Sequence, residues 1–164
     1  MTVVMEKIKA LLLPLALIFA AIAIFEFGAR YGASNTRAAA LAGQLNNFVN
    51  LYQQVGVHAD ERSRAHLEAV IDNHVLTAAL ERGAWHLRFK NEPKASLDQA
   101  LAKALLLRGD GVMTRVEDMS AAQKDGSLTI SLARLTALRS AVERAQDELI
   151  TTAPAPEPPI AATQ

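Results

Sequence analysis

Cysteine is absent from this 164-residue chain. That removes disulfides, thiolate nucleophiles and sulfur-ligated metals from consideration, although it leaves the redox compartment open. Charge of one sign is also missing: 17 basic residues face 17 acidic ones, and the two alternate without a like-charged run. A nucleic-acid partner, which needs a basic face to neutralise phosphates, is therefore not expected. Aromatic residues are few, with one Trp, two Tyr and five Phe. No Gly-rich loop follows a strand pattern, and no serine sits in a hydrolase-type sharp turn, so phosphate-cradling and acyl-transfer motifs are lacking.

Against these absences stands one long apolar run. Residues 10–25, ALLLPLALIFAAIAIF, carry no charge and follow directly on the Lys7-Ile8-Lys9 edge. As a helix the run is about 24 Å long, and apolar neighbours out to position 29 bring it near the roughly 30 Å of a hydrocarbon core. The ends fit if Lys9 and Glu26 turn their charged heads to the interfaces. A cleaved signal is the competing reading. It fits less well, because cutting after Ala23 leaves Ile24, Phe25 and Phe27 at the new terminus. Pro14 falls early in the span, where few backbone donors are lost. Lys7 and Lys9 before the run are nearly matched by Arg30 and Arg37 after it. The basic-residue rule thus barely sets an orientation, and the short basic leader tips it toward an inner N-terminus.

The expected layout is a leader over residues 1–9, an anchor over 10–29, a juxtamembrane helix over 30–56, a helical domain over 57–150 and a Pro/Ala-rich disordered tail over 151–164. In the juxtamembrane part, Phe27, Tyr31, Ser34, Ala38, Leu41, Leu45, Phe48, Tyr52 and Val55 recur at alternating steps of four and three, the seam of a packing helix. The seam suits either packing inside its own domain or contact with a second chain. Gly28 and Gly32 add a weak small-residue motif to the second option.

Asp60 is placed to cap a helix that ends at Gly83, with a buried stripe at Leu67, Val70, Ile71, His74, Val75 and Ala78. Alternation at Trp85, Leu87 and Phe89 suggests a strand over residues 85–90, with a continuing helix as the alternative, and 112–117 and 127–130 are further short strand candidates. Between them, Pro93 is expected to hold off a third helix until residues 97–108, with Ser96 and Gln99 as its capping box. A small capped turn is expected at residues 120–123. A last helix over about 131–150 has a stripe at Leu132, Leu135, Leu138, Val142, Ala145 and Leu149. The fold class is thus mainly α, a single N-terminal transmembrane helix continuing into a helical domain with a small antiparallel β element. An α+β soluble domain is the alternative.

Chemistry has little support. His58, His66 and His74 recur every eight residues, but on a helix His66 and His74 lie about 12 Å apart, too far to share an ion. Glu68 and Asp72 lie one turn apart and read as a solvated face. No catalytic residue, cofactor or metal ligand is assigned. The candidate interaction residues are Tyr31, Leu41, Leu45, Phe48, Tyr52, Trp85 and Phe89. The expected role is a non-enzymatic, single-pass protein of a cell-envelope assembly, held in a bacterial inner membrane with its bulk periplasmic. Its partners are then the lipid bilayer and other protein subunits, self-association included. The alternative is an anchored ligand-binding or sensory module, with an apolar pocket lined by Trp85 and the last helix.

Overall fold

The computed structural model describes residues 2–56, 58–84, 87 and 92–150, with side chains from residue 17 onward. One helix, α1 (Thr2–Leu51), runs for 50 residues, about 75 Å, and ends in a widened π turn over Tyr52–Gly56. Four shorter helices follow: α2 (Glu61–Arg82), α3 (Glu92–Arg108), α4 (Gly111–Lys124) and α5 (Leu132–Leu149). The segments expected as anchor and juxtamembrane helix are therefore one continuous rod. Two chemistries succeed each other along it.

The second half of α1 is built into the body. Ser34, Ala38, Leu41, Ala42, Leu45 and Val49 are buried at helical spacing, and α1 packs chiefly on α3 and α2. Alanines are buried on both sides of this packing, Ala38 and Ala42 on α1 and Ala100 and Ala104 on α3, so the two helices can approach closely. Four cross-links fix the helix directions. Ser34 Oγ donates to Glu81 while Tyr52 Oη donates to Glu68, so α1 and α2 are antiparallel. Arg82 reaches Asp98 while Arg108 reaches Asp72, so α2 and α3 are antiparallel as well. It follows that α1 and α3 run the same way. α4 and α5 pack on this trio, chiefly through α2 and each other.

Local signals set several of the ends. Asp60 Oδ1 accepts from Ser63 N–H at 3.0 Å and caps α2, which stops at Gly83. Ser131 caps α5 in the same way through Arg134 N–H. Gly109 closes α3 in the left-handed region, φ +51°, with its N–H on the Leu105 carbonyl. The α2 stripe is seen as expected, with Ile71, Val75 and Ala78 fully buried and Leu67, Val70 and His74 partly so.

Other expectations are corrected. No strand occurs among the described residues. Residues 112–117 lie inside α4, where Val112 and Val116, four apart, bury on one face. The β-branched alternation yields to that helical spacing. Residues 127–130 form an unpaired turn in which Asp125 holds Ser127 N–H and Leu128 N–H bonds the Ala122 carbonyl. Of residues 85–90, only Leu87 is described. It is fully buried and its N–H bonds the Ala84 carbonyl in a turn, while the rest of that expected strand lies outside the described residues, as does the 151–164 tail. Helix α3 begins at Glu92, five residues before the expected start, because Pro93 falls in its first turn, where no intrahelical donor is required. Ser120 is inside α4 rather than in a separate turn, its hydroxyl bonding back to the Val116 carbonyl. Leu132, expected on the α5 stripe, is exposed at its first turn.

Candidate functional site

Along α1 the surface changes character with height. Leu17, Ile18, Phe19, Ile22, Ile24, Phe25 and Phe27 are all exposed, Ile24 and Phe25 by 73% and 74%. These residues point in every direction around the helix, so no single apolar face is left waiting for one neighbour. A buried core helix of a water-soluble protein would hide them. This helix is long and apolar enough to cross a membrane, and its apolar part is almost entirely outside the body. An Arg30–Glu26 pair at 3.3 Å marks the far edge of the band.

The candidate seam residues take two fates. Leu41 and Leu45 are buried in the chain's own core, and Phe48 and Tyr52 pack against it half-buried. Tyr31 is half-buried nearby. The seam is thus used for packing within the chain, the first of the two options its spacing allowed. At the seam's ends Phe27 and Val55 are exposed. Trp85 and Phe89 lie outside the described residues, and with them the pocket expected against the last helix.

The polar groups on α2 are organised in a way the sequence did not suggest. Glu68 and Asp72, expected on a solvated face, are both held by Arg108 from the end of α3. Its Nε and Nη2 donate to the two Asp72 oxygens at 2.8 and 3.1 Å, and Nη1 lies 3.1 Å from Glu68 Oε2. Tyr52 Oη donates to the other Glu68 oxygen at 2.6 Å. The Asp72 side chain is 5% exposed and that of Arg108 13%. The bidentate bond to Asp72 holds the guanidinium above its usual pKa, burial opposing. Gly111 leaves room for this fork, since a Cβ there would meet Arg108 Nη2 at 2.8 Å. A second knot lies about 15 Å away along the helices, ten residues of helical rise. In it Arg82 joins Asp98 at 2.7 Å and Glu148 at 2.8 Å, with Lys94 on the other Asp98 oxygen at 3.1 Å. Burial lowers the Arg82 pKa, and the bonds from Glu148 and Asp98 outweigh it, leaving it raised.

Both knots tie helices together. Each of their carboxylates is paired with an arginine, and no group of three potential metal ligands occurs among the described residues. His74 is half-buried, with Nδ1 2.8 Å from the Val70 carbonyl and its ring against Phe48 at 4.8 Å. It is a packed, satisfied histidine. His58 and His66 are exposed. What the sequence missed was Arg108, whose partners lie 36 and 40 residues earlier; only its position on the α3 face could have hinted at it.

Comparison of the chain with protein-family models, with curated proteins and with solved structures gives no match.

Proposed function

We propose that this is a non-enzymatic, single-pass membrane protein that serves as an accessory part of a cell-envelope assembly and docks onto other chains through its helical body. The observation that supports it is the lipid-like exposure of Leu17 to Phe27 on a helix that continues without a break into the core of the body. Such a rod places the body at a fixed height above the bilayer. Spending the α2 and α3 carboxylates on structural ion pairs supports a scaffold rather than a catalyst. The basic leader at Lys7 and Lys9 favours a bacterial inner membrane with the N-terminus inside and the body in the periplasm.

Purification of the full chain from membranes in mild detergent tests this reading. Stoichiometric recovery of at least one other membrane or envelope polypeptide is expected. Recovery of the chain alone from the aqueous fraction, lacking its first thirty or so residues, would overturn it.

A further inference from the structure

A surface that the seam does not fill lies along its flank, where α1 meets α2. A groove of about 570 Å³ runs between α1, α2, α4 and α5. Its floor is apolar, made by Leu76, Leu80, Met119, Ile130 and Leu138. Two cations stand on its rim, Arg37 from α1 and Arg134 from α5, against one carboxylate, Glu81. That carboxylate is already engaged, by Ser34 Oγ at 2.9 Å and by Arg37 at 3.6 Å. The Arg37 side chain is 68% exposed and Arg134 is exposed as well. The groove therefore combines an apolar trough with a rim that carries one cation more than its single carboxylate balances.

Position narrows the occupant. The end at Arg37 lies ten residues beyond Phe27, about 15 Å along α1, whereas the headgroup layer on one side is only about 6 Å deep. A lipid whose tails remain in the bilayer does not reach it. From Glu81 to Asn73 the α2 wall extends eight residues, about 12 Å or two helical turns. A helix leaving the membrane beside α1 would climb directly into the trough. A second copy's α1 is the wrong helix for this, because its outward face between residues 28 and 44 carries Arg30 and Arg37 and no carboxylate. It would set cations against cations.

We infer that this groove receives an amphipathic helix of a different membrane-anchored chain, one that inserts apolar side chains at three- and four-residue spacing and carries an Asp or Glu that pairs with Arg37 and Arg134. The inference rests on the docking function proposed above and gives it a site and a partner chemistry. The acidic residue selects the partner and excludes self-pairing, while the apolar floor holds it.

Photo-crosslinking of the full chain in native membranes tests this, with the reactive side chain at Met119 in the groove and, separately, at the exposed Leu106 on α3. The expected product from Met119 is an adduct with another polypeptide, whose linked segment is amphipathic and bears an acidic residue within one turn of the linkage. Arg134→Glu should lower that yield at least fivefold and Arg134→Lys should restore it, with the thermal melt of both variants unchanged. Adducts from Met119 to lipid or to a second copy would overturn the inference. So would a yield indifferent to Arg134→Glu. Adducts from Leu106 but none from Met119 would sink the groove while leaving docking in general intact; none from either would sink both.

Discussion

At the scale of single residues, stability is concentrated in a few polar contacts whose loss has unequal consequences. Arg108→Met strands a carboxylate on Asp72, which is 4% exposed, and should destabilise the fold by about 3 kcal/mol in a urea titration. Adding Asp72→Leu should recover much of that loss, because an apolar pair of similar volume needs no charge compensation. A double mutant no better than Arg108→Met would contradict the ion-pair account. Gly109→Ala forces a side chain into φ +51° and should cost about 1 kcal/mol by the same measurement.

Asp60 makes a separate, pH-dependent case. The Ser63 hydroxyl and backbone N–H hold its carboxyl below the usual value of 3.8. A depressed folded-state pKa adds stability that is full above the unfolded value and is lost as pH falls through the folded one. Asp60→Asn keeps an acceptor for the cap but cannot titrate, so its stability should fall less steeply than that of the natural chain below about pH 4. Asp60→Ala should be weaker already at pH 7. Thermal melts across pH check both.

At the scale of elements, what was legible depended on whether the deciding information was local. The starts of α2 and α5 could be read from Asp60 and Ser131, and the stop of α2 from Gly83, because each cap acts within a turn of its helix. The α4 region misled because Val112, Thr114 and Val116 also satisfy a period of two; only the presence of a core on one side decides for four. The paired carboxylates on α2 misled for a related reason. Their periodicity places them on one face, but their burial depends on Arg108, brought in by the α2–α3 crossing. The α1 seam was visible in the sequence, yet its spacing fits an inner or an outer neighbour equally. Leu45 shows which one this chain uses: fully buried among its own helices, it should cost 2–5 kcal/mol when cut to Ala. A cost under about 0.5 kcal/mol would mean that α1 is only loosely attached to the body.

At the scale of the whole molecule, one helix carries two kinds of surface. Its apolar stretch is exposed all round, and about seven residues beyond Phe27 the same helix begins to bury Ser34, Ala38 and Leu41 against the body. The helix is unbroken between the two, so the direction of the apolar stretch and the orientation of the body are coupled. Because the natural chain has no cysteine, every introduced cysteine is a unique label. Spin labels placed singly from residue 17 to residue 49, in the full chain reconstituted into vesicles, give the most direct test. Accessibility to a lipid-soluble relaxant should be high and without helical period from 17 to 27. From 34 to 49 a 3.6-residue period should appear, with minima at Ser34, Ala38, Leu41, Leu45 and Val49. Water-soluble relaxant reaching residues 17 to 27, or a break in helical period between 28 and 34, would contradict a membrane anchor that continues rigidly into the body.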